Sequence, residues 1–235
     1  MKLENQTAVV SGGGRGIGKA ICHFLAREGA DIVTFSRTEK EIKQTEKEIG
    51  DLGVKAFGLV ADVRNKEDVR RVTKKALKEF SKIDILVNNA GVCRYKTFWD
   101  IRDKDWNEIV DTNLEGVILC TREVLNQMIK QKRGKIINIS SQAGKRPFFG
   151  LSVYCATKYG VNGFTKALAR DLEKYSNIKV YAVCPGATAT KMYFDMIPDA
   201  DLKTLLKPEE VAKIVLKLAL PNAKVKSGSL VDIYK

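Results

Sequence analysis

The chain has 235 residues, 44% hydrophobic and 29% charged, with 41 Lys and Arg against 28 Asp and Glu. That size and apolar share predict one domain spanning 1–235 with a sizeable core, no apolar run reaches the length of a membrane span, and the start Met1-Lys2-Leu3-Glu4-Asn5-Gln6 lacks the apolar segment of a secretory leader. The net charge of +13 is spread along the sequence, densest at Lys130-Gln131-Lys132-Arg133 and without an RNA-binding motif, so it reads as solvated helix faces and attraction for anionic ligands rather than as a nucleic-acid or membrane partner.

Cys22, Cys93, Cys120, Cys155 and Cys184 are odd in number and form no Cys-x-x-Cys pair. This predicts a reduced, cytoplasmic protein with neither a disulfide framework nor a metal site. The single histidine, His23, falls within an amphipathic helical pattern with nothing near it to complete a Ser-His-Asp triad.

Thr7 to Ser11 (TAVVS) is a short β-rich run and reads as a buried parallel strand. Gly12, Gly13, Gly14, Arg15, Gly16, Ile17 and Gly18 follow, then Ala20, Ile21, Phe24 and Leu25 at helical spacing up to Gly29. Strand, glycine turn and helix in that order are what a dinucleotide fingerprint requires. The glycines let backbone approach a pyrophosphate, and the helix N-terminus offers N–H groups and positive charge.

Asp31 to Ser36 is the second strand, and Thr38 with Glu41 is expected to open the next helix as a capping box. At this strand's tip an acid would hold the ribose 2′-hydroxyl of NAD, but the residues are Ser36, Arg37 and Thr38. Arg37, with Arg15 from the glycine turn, suits a 2′-phosphate and points to NADP(H). The competing reading leaves both arginines as solvent-exposed bystanders and lets Glu39 bind the ribose.

Strands are expected over 54–60, ending at Ala61-Asp62-Val63, and over 83–87, ending at Asn88-Asn89-Ala90-Gly91, with a helix over 66–80 between them. Residues 103–132 read as one long, mostly helical stretch whose apolar stripe (Trp106, Ile109, Val110, Leu114, Val117, Ile118, Leu125, Met128) is interrupted by Asn113. A fifth strand over 135–139 ends at Ser140-Ser141. A helix over 154–172, a sixth strand over 178–183 ending at Cys184-Pro185-Gly186, an irregular apolar patch over 192–197, a helix opened by Pro208 and a last strand over 230–234 complete the chain. Six βα units imply an α/β fold: one Rossmann-type, doubly wound parallel sheet of about seven strands with helices on both faces and ligands at the strand carboxyl ends.

Tyr154 and Lys158 are four apart in a helical stretch and share a face. A free Tyr has a pKa of about 10, and bringing it near 7 takes roughly 4 kcal/mol in favour of the phenolate. A nearby ammonium and a positive nicotinamide ring in a partly dry site would supply that. Such a phenol would exchange a proton with a carbonyl or alcohol oxygen. The same spacing recurs at Tyr175 and Lys179, but that copy straddles a helix end and a strand start, so its side chains are not expected to share a face.

From about residue 5 to 215 the sequence resembles the short-chain dehydrogenases/reductases. The resemblance rests on Ser11-Gly12-x-x-x-Gly16-x-Gly18, Asp62-Val63, Asn88-Asn89-Ala90-Gly91, Asn113, Ser141, Tyr154-x-x-x-Lys158 and Pro185-Gly186-x-x-x-Thr190, all in order. The look is of the 3-oxoacyl-(acyl carrier protein) reductase branch, notably in Ile137-Asn138-Ile139-Ser140-Ser141-Gln142-Ala143-Gly144 and Pro208-Glu209-Glu210-Val211-Ala212. It implies that Tyr154 is the general acid, that Lys158 binds the nicotinamide ribose and lowers the Tyr154 pKa, that Ser141 bonds the substrate carbonyl, and that Asn113 holds a proton-relaying water. It implies adenine contacts at Asp62 and Val63, ribose and pyrophosphate contacts at Asn89, Ala90 and Gly91, and a nicotinamide-end role for Pro185, Gly186, Thr188 and Thr190. The expected activity is NADP(H)-dependent reduction of a ketone or oxidation of a secondary alcohol, on a small-molecule or acyl-thioester carbonyl, by a homodimer or homotetramer. A broad-specificity carbonyl reductase with an apolar pocket around Tyr95, Phe148, Phe149 and 192–197 is the alternative, and a non-catalytic nucleotide-binding regulator is the remote one. The sequence departs from the family by ending at Lys235 without the usual Asp-Gly-Gly, and by having Tyr175 at a place where the branch carries a basic docking residue, though Lys132 matches another.

Overall fold

The computed structural model describes residues Met1–Lys235. Its strands are β1 (Thr7–Ser11), β2 (Asp31–Ser36), β3 (Ala56–Val60), β4 (Ile85–Asn88), β5 (Gly134–Ile139), β6 (Ile178–Pro185) and β7 (Leu230–Ile233). They form one parallel sheet in the order β3-β2-β1-β4-β5-β6-β7. The helices are α1 (Gly16–Arg27), α2 (Glu39–Gly50), α3 (Lys66–Phe80), α4 (Asp103–Val110), α5 (Gly116–Gln131), α6 (Ser152–Asp171), α7 (Lys191–Phe194) and α8 (Pro208–Ala219). The strand order reverses between β1 and β4, and the crevice outside their carboxyl ends is where such sheets bind ligands.

β1 is buried at every position because both sheet faces are covered. Ala8 and Val10 point into one layer, with Ile21 and Leu25 of α1 and Val211 and Val215 of α8. Val9 points into the other, with Val69 and Val72 of α3 and Val124 and Met128 of α5. Each such fully buried Val, Leu or Ile contributes about 1.5–3 kcal/mol, so the two layers clamp the sheet and hold the strand ends in register.

Several boundaries differ from the sequence expectation. β3 starts at Ala56 rather than Val54, because the Lys55 N–H donates to the Asp31 carboxylate at 2.9 Å. β4 starts at Ile85, because the Ile83 N–H and C=O are both taken by the Gln131 amide at 3.0 Å. The long stretch over 103–132 divides into α4 and α5 through a π-turn, Asp111–Glu115, that carries Asn113. The apolar patch after β6 contains the one-turn α7. Thr38 does sit at the α2 N-cap, but the capping box does not form: its side chain makes no capping bond, and Glu41 pairs with Arg15 at 3.1 Å instead. A charge-assisted bond outcompetes a neutral cap. All five cysteines are free and buried, and no helix is long and apolar enough to cross a membrane.

Candidate active site

A cleft of about 600 Å³ runs along the carboxyl ends of β1, β4, β5 and β6. At one end lies the glycine turn. Gly12 has φ +69° and Gly16 φ +54°, where a side chain would be strained. A Cβ on Gly18 would fall 2.2 Å from the Gly12 carbonyl oxygen, so only glycine lets α1 start this close to β1. Asn89 holds the turn in place: its side-chain amide donates to the carbonyls of Ser11 at 3.0 Å and Gly12 at 3.1 Å. The Ser11 hydroxyl in return accepts the N–H groups of Asn89 and Ala90.

α1 opens with no side-chain cap and no acid in its first turn, and Gly14, Arg15, Gly16, Ile17 and Gly18 line the cleft there. Uncapped N–H groups at a helix start hold anions. The Thr112 hydroxyl, at the cleft wall, is buried without a hydrogen-bond partner. Both features fit a dinucleotide whose pyrophosphate meets α1.

Ser36, Arg37 and Thr38 line the same end, as do Asp62, Val63, Ala90 and Gly91, whereas Glu39 does not. Arg37 Nη1 donates to Glu108 Oε1 at 3.2 Å, and Arg15 is paired with Glu41. Both arginine side chains remain about half exposed. The Asp62 carboxylate is held by the Arg64 fork and backbone N–H. Burial pushes its pKa up, but those bonds outweigh burial and leave it below the usual range.

Ser141, Tyr154 and Lys158 converge at the other end, with Pro185, Gly186, Thr188 and Thr190 facing them. Thr190 also reaches towards the glycine turn, so the loop after β6 closes the cleft across from α1. Lys158 is buried, and its Nζ donates to the Ile139 carbonyl at 2.9 Å and lies 5.5 Å from the Tyr154 ring centre. The Ser141 oxygen accepts the Ala143 N–H at 3.0 Å, leaving its proton free to donate. Burial pushes the Lys158 ammonium down to about 8. Burial also pushes the Tyr154 phenol up, with Ser141 pulling the other way. The expected lowering of the phenol pKa is therefore not a property of the chain alone: burial dominates the opposing pull of Ser141.

Asn113 is brought to the site but not into the cleft. It is fully buried; its Oδ1 accepts the Val92 N–H at 2.8 Å and its Nδ2 donates to the Val92 carbonyl at 2.9 Å. The π-turn thus clamps the irregular segment after Gly91. Oδ1 of Asn113 and Nζ of Lys158 flank Gly91, at 3.3 and 3.9 Å from where its Cβ would be. Tyr175 lies in the turn after α6 and Lys179 in β6, so the second Tyr-x-x-x-Lys has no shared helical face. His23 does not line the cleft and pairs with Glu48.

Sequence reasoning missed Thr112, Gln142 and Leu151 on the cleft wall. Thr112 stands beside Asn113 and Gln142 beside Ser141, so adjacency to a motif was the available signal.

The chain matches the family model described as short chain dehydrogenase over residues 6–200. It is 34% identical to the 3-oxoacyl-[acyl-carrier-protein] reductase FabG of Thermotoga maritima, over 99% of this chain and 98% of that relative. It is 39% identical to the 3-oxoacyl-[acyl-carrier-protein] reductase of a Synechocystis species, over 94% and 92%. Among solved structures, a point variant of actinorhodin polyketide ketoreductase with NADPH superimposes with a TM-score of 0.91 at 31% identity, over 97% of this chain and 95% of that one. Levodione reductase superimposes with a TM-score of 0.92 at 25% identity, over 99% and 97%. With a family match over most of its length and such relatives aligned nearly end to end, the chain belongs to the short-chain dehydrogenase family of oxidoreductases.

Proposed function

We propose that the chain is an NADP(H)-dependent ketone reductase acting on 3-oxoacyl thioesters. The observation that carries this reading is one cleft with Ser141, Tyr154 and Lys158 at one end and the uncapped start of α1 with Arg37 at the other. Relatives named as 3-oxoacyl-[acyl-carrier-protein] reductases and a ketoreductase solved with NADPH support the substrate class and the cofactor.

A bound reduced nicotinamide supplies the hydride that adds to the carbonyl carbon. The residues of the chain do the rest. The free Ser141 proton bonds the carbonyl oxygen and orients it. The Tyr154 phenol, held neutral by burial, gives its proton to that oxygen as it gains charge. The Lys158 ammonium, still charged at pH 7, offsets the phenolate left behind and holds the nicotinamide ribose. Asn113 fixes the backbone around Gly91 through Val92 and leaves one Oδ1 lone pair for a water beside Lys158. Arg37 and Arg15 meet the 2′-phosphate. Five free, buried cysteines fit a reducing, cytoplasmic compartment.

A second reading, a broad carbonyl reductase, is favoured by the apolar wall of Tyr95, Phe148, Phe149, Met192, Met196 and Ile197. A panel of 3-oxoacyl thioesters, diketones and simple ketones separates the two. The first reading expects thioesters to be reduced best, and with NADPH faster than with NADH. Arg37→Asp should weaken NADPH binding by at least about ten- to a hundredfold and leave NADH little changed. Equal activity across the panel would favour the second reading, and unchanged NADPH affinity in Arg37→Asp would remove the cofactor assignment.

A further inference from the structure

Glu108 on α4 is 71 positions from Arg37 in sequence, yet each oxygen of its carboxylate holds a different arginine. Oε1 accepts from Arg37 Nη1 at 3.2 Å, and Oε2 accepts from Arg94 Nη2. Arg94 is in turn tied to its own loop, donating from Nη1 to the Cys93 carbonyl at 2.9 Å. The Glu108 side chain is mostly covered, at 19% exposure, while that of Arg37 is 48% exposed and lies at the cleft wall.

Resting on the NADP(H) reading, we propose that Glu108 is a specificity-determining residue. It is an internal anion that occupies Arg37 until a 2′-phosphate displaces it. A phosphate dianion arriving at Arg37 meets a carboxylate already bonded there and must share or take that donor. The exchange does not strand a covered charge, because Arg94 keeps the other Glu108 oxygen, and a buried charge left without a partner would be costly. A 2′-hydroxyl is neutral and cannot compete with a carboxylate for a guanidinium. NADH therefore binds without disturbing the pair. NADPH binds against it, and Glu108 holds the discrimination below what Arg37 alone would give.

The test is the dissociation constants of NADPH and NADH for wild type, Glu108→Gln, Arg37→Gln and the double variant. Glu108→Gln should tighten NADPH about three- to tenfold and leave NADH within about twofold. In the Arg37→Gln background the gain should vanish, because the effect runs through Arg37. NADPH binding that is unchanged or weaker in Glu108→Gln overturns the proposal. So does a gain of equal size without Arg37, which would mark simple repulsion, or a parallel change in NADH, which would mark a structural role. A wild type with no NADPH preference and no response to Arg37→Gln would instead break the cofactor reading, and the proposal with it.

Discussion

At the scale of single residues, burial rather than pairing sets the proton affinities at the Tyr154–Lys158 end of the cleft. Lys158 is buried with the Ile139 carbonyl as its one hydrogen-bond acceptor, and burial lowers its pKa to about 8. In the unfolded chain it keeps its proton up to about 10.4. Between those values the unfolded chain holds more protons at this residue, so its contribution to stability rises with pH. Lys158→Met removes that contribution. The urea stability of wild type relative to the variant should therefore improve by about 1 kcal/mol from pH 7 to pH 9. Other groups titrate in the same window, but they cancel in the difference. A gap independent of pH would mean that the ammonium is better solvated than its surroundings suggest.

At the scale of elements, the glycine turn carries a sharp contrast. A Cβ on Gly18 meets the Gly12 carbonyl oxygen at 2.2 Å, while one on Gly50, at the end of α2, meets nothing within 4 Å. Gly18→Ala should cost about 1–3 kcal/mol through overpacking, and it should weaken dinucleotide binding because the turn must move. Gly50→Ala should be neutral or gain up to about 1 kcal/mol. Thermal melts of both with and without NADPH check this, and equal behaviour of the two variants would contradict it. The glycine turn was legible because its residues are consecutive and their conformational demands are local. The βα alternation was legible for the same reason, since Ala8 and Val10 need cover from one layer and Val9 from the other. The π-turn at 111–115 was not, because it depends on Asn113 bonding Val92 from 21 positions away. Nor was the Arg37–Glu108–Arg94 chain, which joins a strand tip to a helix through tertiary folding alone. The Tyr154–Lys158 pair was visible as spacing, but the sign of the phenol shift was not, since burial is a property of the folded chain.

At the scale of the whole molecule, part of the apolar stripe over 103–132 stays uncovered. Ile109, Val117 and Met128 are buried, but Trp106 on α4 is 38% exposed and Ile118 on α5 is 40% exposed; Tyr159 on α6 is 47% exposed. We expect these helices to meet their copies across a two-fold axis. Light scattering at micromolar concentration should give at least twice the chain mass of 26.2 kDa, and Ile118→Glu should shift it towards the monomer. A monomeric wild type would remove this expectation. The central claim is that Tyr154 gives the proton that completes carbonyl reduction. It is tested most directly by NADPH consumption with a 3-oxoacyl thioester by wild type and Tyr154→Phe, alongside NADPH affinity for both and Tyr175→Phe as control. Tyr154→Phe should lose at least about 10²-fold in turnover with cofactor affinity largely kept, and Tyr175→Phe should match wild type. Turnover of Tyr154→Phe close to wild type, with NADPH bound, would contradict the account.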